Sequence, residues 1–284
     1  GNVVVYKDFT LTGNAYVSGN VSITEELTVS NNVYADKDLE VVGNVYVDGN
    51  VVAYKDFTLT GNAYVSGNVS ITEELTISNN VYADKDLEVV GNVYVDGNVV
   101  AYKDFTLTGN AYVSGNVSIT EELTISNNVY ADKDLEVMGN VYVDGNVVAY
   151  KDFTLTGNAY VNGNVSITEE LTISNNVYAD KDLEVMGNVY IDGNVIAYKD
   201  LSVTGNIYVT GNVSITEELT ISNNVYADKD LEVVGNVYID GNVVAYKDLL
   251  VTGNIYVTGN VSITEELTIS NNVYADKDLE VMGN

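Results

Sequence analysis

Apolar and polar residues alternate along this chain in blocks of six. Residues 1–48 divide as GNVVVY, KDFTLT, GNAYVS, GNVSIT, EELTVS, NNVYAD, KDLEVV and GNVYVD, with apolar residues at the third and fifth positions of every block. Side chains two apart share one face of a strand, so Val3/Val5, Phe9/Leu11, Val21/Ile23 and Leu27/Val29 mark the inward faces of successive short strands. Most of these residues are β-branched or aromatic, which suits strands. The first two positions of a block, most often Gly-Asn, suit a corner at which positive φ is needed. Strand and corner alternate with no hairpin signal between them, which predicts an all-β fold, a parallel β-solenoid (β-helix) of hexapeptide strands.

Eight blocks make a 48-residue unit that recurs as 1–48, 49–96, 97–144, 145–192, 193–240 and an incomplete 241–284, a single continuous array. Residues 49–96 and 97–144 differ only at Val90 against Met138. Near-identity at a fixed period is the signature of a repeat architecture, in which each unit buries its apolar face against its neighbours. Three changes in units five and six compensate one another. Phe becomes Leu201 and Leu249, the Leu after it becomes Val203 and Val251, and Ala becomes Ile207 and Ile255. Two side chains shrink while one in the next block grows, which holds core volume near constant and places the second and third blocks in one cross-section.

Two windings fit the pattern. A three-sided single-chain solenoid with 18-residue coils sets Tyr46 beside Tyr64 and Tyr82, and Tyr94 beside Tyr112 and Tyr130, as short outward ladders. The same offset sets Lys37-Asp38 next to Lys55-Asp56 and Asp8 next to Glu26, and like charges on adjacent strands repel. A homotrimeric triple-stranded β-helix, the alternative, flanks most charged corners with neutral ones. A 24-residue coil also divides 48 evenly but loses the tyrosine ladders. The ladders favour the single-chain solenoid, which is the expectation carried forward.

Charge and composition narrow the function. The chain has 41 acidic residues against 12 lysines, a formal charge of −29, and no Pro, Cys, His or Trp. Disulfides and Cys/His zinc sites are therefore excluded. A field of that sign repels phosphate backbones and anionic lipid, so nucleic acid is not an expected partner. No apolar run approaches the ~18 residues of a membrane span, so membrane insertion is not expected either. The start at Gly1 reads as a processed product or a piece of a longer array. A site repeated six times is rarely an active site, and no polar cluster breaks the repeat, so the expectation is no enzyme and no cofactor apart from a candidate Ca²⁺.

Stretches such as LSVTGNIYVTGNVSIT (201–216) resemble the Φ-x-Φ-x-Gly-Asn shaft repeats of bacteriophage and giant-virus tail or surface fibres. That resemblance implies a homotrimeric triple-stranded β-helix spacing a receptor-binding tip from a particle; no tip sequence is present. The hexapeptide pattern is also similar to the left-handed β-helix of acyltransferases. Phe9, Leu27 and Leu39 occupy the position that family keeps small, and its histidine is missing, so acyl transfer is not carried over. Bactofilin-type cytoskeletal β-helices are a looser likeness and imply a cytoplasmic polymer.

Several residues invite a chemical reading. Asp36, Asp38 and Glu40 form a D-x-D-x-E run at the sixth corner of the unit, and oxygen-rich corners can hold Ca²⁺. The bland reading is a solvated acidic corner. Asn20-Val21-Ser22 is an N-glycosylation sequon that recurs at Asn68, Asn116, Asn164, Asn212 and Asn260. Glu25 and Glu26 are neighbours whose side chains diverge, which argues against an acid/base pair. Thr10/Thr12, Ser22/Thr24 and Thr28/Ser30 resemble the T-x-T rows of ice-binding solenoids, but no coil length aligns them continuously. Tyr6, Tyr16, Tyr34 and Tyr46 are expected on outward surface or at a lateral interface. Together these features predict a rigid extracellular or virion-surface shaft that associates with itself as homopolymer, fibre bundle or homotrimer. An adhesive or Ca²⁺-dependent surface-binding stalk is the alternative.

Overall fold

The computed structural model describes residues Gly1–Gly283. The chain groups into two compact units, Gly1–Asp144 and Gly145–Asn284.

In the first unit a three-residue strand recurs every six residues, from Val3–Val5 to Val141–Val143. Each strand pairs in parallel with the strand 18 residues further on. Val3, Val4 and Val5 meet Val21, Ser22 and Ile23, and Phe9, Thr10 and Leu11 meet Leu27, Thr28 and Val29. Ala15, Tyr16 and Val17 meet Val33, Tyr34 and Ala35. Three strands therefore close one 18-residue coil, and the coils stack into three parallel sheets. The second unit repeats the scheme from Val147–Ala149 to Leu279–Val281, with Val147 against Val165, Phe153 against Leu171 and Ala159 against Val177. The fold is a single-chain, three-sided parallel β-solenoid, and the 18-residue register excludes the 24-residue coil.

The inward positions form a dry core. Leu39, Leu75, Leu87 and Leu123 are fully buried, and among the described residues no polar or charged residue is buried as a whole. Each fully buried Val, Leu or Ile contributes on the order of 1.5–3 kcal/mol relative to exposure. Phe57 and Ala63 lie on consecutive strands of one coil and are both buried, as are Leu201 and Ile207. That placement supports the compensating volume changes read from the sequence.

The corners differ from expectation in one respect. No glycine and no other described residue has a positive φ. Glycine serves close approach instead: a Cβ on Gly61 would meet the carbonyl of Gly43 and the side chain of Asn44 in the coil beneath. Backbone groups cross from coil to coil there, as in Gly67 N–H donating to the Gly49 carbonyl at 3.1 Å. Flanking bonds tie the strand ends in, with Val21 N–H donating to Asp38 O and Thr24 N–H to Val5 O, both at 2.9 Å.

Candidate functional site: corner ladders and tyrosine grooves

Every second-position residue of a block lies over its counterpart 18 residues away, which turns the corners into side-chain ladders. The backbone N–H of Asn62 donates to Asn44 Oδ1 at 2.9 Å, that of Asn80 to Asn62 Oδ1 at 3.0 Å, that of Asn98 to Asn80 Oδ1 at 2.8 Å and that of Asn116 to Asn98 Oδ1 at 2.7 Å. Side-chain amides add to this, with Asn80 Nδ2 donating to Asn62 Oδ1 at 2.9 Å. Asparagine can do this because its amide both donates and accepts, so identical residues tile head to tail. The hexapeptide pattern presents Asn as a corner former and, at Asn20 and its equivalents, as a sequon residue. Its recurrence at spacing 18 was the signal for the ladder.

Asparagine runs alternate with acidic segments. In one column Asn20 is followed by Asp38, Asp56 and Glu74. Asn20 Nδ2 donates to Asp38 Oδ2 at 3.1 Å, and Glu74 N–H donates to Asp56 Oδ1 at 3.0 Å. One step along from these acidic segments lies a lysine–glutamate pair, closest at Lys55 Nζ–Glu73 Oε1, 3.1 Å, and repeated at Lys103–Glu121, 3.6 Å. The Lys55 ammonium is held above its ordinary value of 10.5, first by the hydrogen bond to Glu73 and next by that carboxylate's charge. The 18-residue offset thus partly offsets the like-charge contact expected at Lys37 and Lys55.

The candidate Ca²⁺ residues are spread out. Asp36 precedes the corner lysine and is exposed, Asp38 sits in the ladder, and Glu40 points outward from the strand Leu39–Val41 between Ser22 and Thr58. Among the described residues no group of three or more acidic side chains is placed to hold a metal ion.

The sequon asparagines occupy a distinct place. Asn20, Asn68, Asn116, Asn164, Asn212 and Asn260 are each the last asparagine before the acidic segment. The bond beyond them is long: Asp134 N–H lies 3.4 Å from Asn116 Oδ1, and Asp182 N–H 3.4 Å from Asn164 Oδ1. Asn68 Oδ1 is buried with no partner. The ladder therefore loosens at the residue that carries the sequon. Asn116, Asn164, Asn212 and Asn260 are exposed there, while Asn20 and Asn68 are half-buried.

On the flat faces the outward mid-strand residues also stack. One face of the first unit runs Thr10, Thr28, three tyrosines (Tyr46, Tyr64, Tyr82), Val100, Ser118 and Glu136. The tyrosine rings are parallel, with centroids 5.1 Å apart for Tyr46–Tyr64 and 5.0 Å for Tyr64–Tyr82. Threonine rows stop after two rungs, because Thr28 is followed by Tyr46. Equivalent ladders are Tyr94–Tyr112–Tyr130 in the first unit and Tyr190–Tyr208–Tyr226 and Tyr238–Tyr256–Tyr274 in the second.

A groove runs beside these ladders. At Tyr190–Tyr208–Tyr226 it measures about 300 Å³, floored by Ile173, Ile191 and Val209. The opposite wall is the corner column Ser174, Asp192, Thr210 and Asp228. The same groove recurs at Tyr238–Tyr256–Tyr274, about 370 Å³, with Asp240 and Asp276, and again at Tyr16–Tyr34 with Asp36.

The 48-residue chemical period does not match the 18-residue coil. Advancing one repeat moves a feature two coils and two further strands, so it reappears on another face. In the first unit Tyr46–Tyr64–Tyr82 lies on the sheet that begins with Phe9–Leu11, and Tyr94–Tyr112–Tyr130 on the sheet that begins with Val3–Val5. Ladders, grooves and acidic corners therefore wind around all three sides, and no like-charged column exceeds three rungs.

No protein-family model, curated protein or solved structure matches this chain.

Proposed function

We propose that the chain is a structural fibre or filament segment, a rigid shaft on an extracellular or virion surface whose activity is mechanical. The observation that carries this reading is the sameness of the coils. Three strands, an aliphatic core and the same kinds of corner bond recur through each unit. Such a stack transmits load through backbone hydrogen bonds that run along the coil axis, and it offers proteases few loops. The winding of surface chemistry onto every face suits a shaft that meets neighbours from any side, by lateral or end-to-end self-association. The resemblance of the Gly-Asn repeats to viral-fibre shafts supports the mechanical role, while the winding is that of a single chain.

Immunogold electron microscopy of the source, with antibody to the intact chain, tests the proposal. Label on filaments at the outer cell or particle surface supports it, and label confined to the cell interior overturns it. Limited proteolysis supplies the mechanical half: the folded chain should resist broad-specificity protease throughout, and rapid cleavage at many corners would count against a shaft.

A further inference from the structure

We propose that the grooves beside the tyrosine ladders bind an extended cationic segment in the polyproline-II conformation, with a basic side chain at every third residue. The site is an interaction surface and goes beyond the mechanical reading.

Charge comes first. The groove at Tyr190, Tyr208 and Tyr226 carries Asp192 and Asp228 on its far wall and no lysine in its lining. A second copy of the chain, at −29, would bring more carboxylates toward the same wall, so the complementary occupant is a cation. Spacing then selects its conformation. Asp192 and Asp228 are two coils apart, about 9.6 Å at the ~4.8 Å spacing of neighbouring strands. A polyproline-II segment rises ~3.1 Å per residue and repeats every three residues, about 9.3 Å, so its basic side chains meet successive aspartates in register. A β-strand returns a side chain to one face every ~6.7 Å and misses that spacing. An α-helix is ~10–12 Å across, too broad to lie between a ring wall and a corner column two residues along the strand, about 6.7 Å.

The ring wall completes the match. Stacked centroids 5.1 and 4.9 Å apart make a ribbed surface, and Tyr208 is 38% exposed. Pyrrolidine rings pack on such aromatic ridges, and the free carbonyls of a polyproline-II backbone accept hydrogen bonds from tyrosine hydroxyls. A pre-extended segment also loses little conformational entropy on docking. Because the groove recurs in successive repeats on different faces, several short basic segments can be held at once.

The test uses the full chain and fluorescently labelled peptides, read by anisotropy and titrated to saturation. The peptides are (Lys-Pro-Pro)4, (Lys-Gly-Gly)4 and (Glu-Pro-Pro)4, with a linear oligo-glucosamine as a further cation. Two variants are compared. One carries Asp192→Asn and Asp228→Asn with the matching groove exchanges in every repeat. The other carries Asp200→Asn and Asp230→Asn with their repeat equivalents, which removes a matching share of charge from ladder corners. (Lys-Pro-Pro)4 should bind at least tenfold tighter than (Lys-Gly-Gly)4, and (Glu-Pro-Pro)4 should not bind. Groove exchanges should weaken (Lys-Pro-Pro)4 at least tenfold, and corner exchanges less than twofold. Equal losses in both variants would reveal diffuse charge attraction and overturn the proposal. Equal binding of the glycine peptide, or tighter groove-dependent binding of the oligo-glucosamine, would overturn the assigned occupant.

Discussion

Two kinds of corner hold these coils together, and they differ in what their side chains can exchange. At the asparagine corners between Asn44 and Asn116, each rung accepts from the backbone N–H of the next coil at 2.7–3.0 Å. At the acidic corners the Asp-on-Asp rung is long, with Asp200 N–H 3.4 Å from Asp182 Oδ1 and Asp248 N–H 3.5 Å from Asp230 Oδ1, while the Glu-on-Asp rung above it closes to 2.9 Å at Glu218 N to Asp200 Oδ1. A carboxylate only accepts, so it can end a ladder but cannot tile one. Stacked carboxylates also repel across ~4.8 Å. The neighbouring position follows suit. Gly-on-Gly corners stand at 3.0–3.1 Å, as at Gly211 N to Gly193 O and Gly67 N to Gly49 O, and Glu-on-Lys corners at 3.2–3.4 Å, the longest at Glu73 N to Lys55 O. Glycine admits the close approach; lysine and glutamate bring Cβ atoms that hold the corners apart. The mismatch of 48 against 18 then distributes the weak corners. The coil 37–54 places Asp38 at one corner and Asn44 and Asn50 at the other two.

The largest break in this contrast should come from filling a glycine corner. A Cβ at Gly109 would meet the Gly91 carbonyl and the Asn92 side chain, while one at Gly13 meets nothing within 4 Å. Gly109→Ala should cost roughly 1–3 kcal/mol as the stacked corners are forced apart. Gly13→Ala should leave stability unchanged or slightly raised. Urea unfolding of the two variants checks this, and equal midpoints would remove close approach as the reason for glycine.

Cutting one asparagine rung comes next. Asn80→Ala removes the acceptor for Asn98 N–H and the donor to Asn62 Oδ1, a loss of about 1–3 kcal/mol if the freed N–H finds no water. Hydrogen exchange localises the effect. The amide of Asn98 should exchange faster by one to two orders of magnitude, while amides near Asn14 keep their protection.

The reverse exchange sharpens the comparison. Asp56→Asn keeps an acceptor for Glu74 N–H, supplies a side-chain donor and removes one of three stacked carboxylates. It should stabilise the local coils by about 0.5–1 kcal/mol at low salt, and the gain should fall as salt screens the remaining charges. A destabilised Asp56→Asn chain would show that the acidic segment is held by something other than tolerated repulsion.

Much of this was legible in the hexapeptide. Alternation at the third and fifth positions gave the strands, and Tyr46, Tyr64 and Tyr82 at spacing 18 gave the coil, because identical residues reveal register when they stack. The corners were read less well. Gly-Asn suggests positive φ in isolation, and its actual role appears only when the coil beneath supplies the carbonyl that a Cβ would strike. The charge pattern was half read for the same reason. Lys37 above Lys55 was visible as repulsion, but Glu73, one coil further, turns the column into an ion pair. The grooves were not legible, since they need the relative height of a ring and a corner, which neither periodicity nor composition encodes.

The smallest expected effect belongs to that ion pair. Lys55 and Glu73 are about half exposed, so water and salt screen their attraction. The raised affinity of Lys55 for its proton fixes the sign of what remains. The stabilisation is fully present below the unfolded lysine value of 10.5, where the ammonium is charged in both states, and is lost as pH rises through the higher folded value. Lys55→Met should therefore lower the urea midpoint slightly at pH 8, and its difference from the parent chain should shrink as pH rises above 10.5 and in 1 M salt. A difference that persists under both conditions would mean that the lysine stem, packed along the corner, matters more than its charge. The charged corners would then be held by contact rather than by ion pairing, and their contrast with the asparagine corners would rest on hydrogen bonding alone.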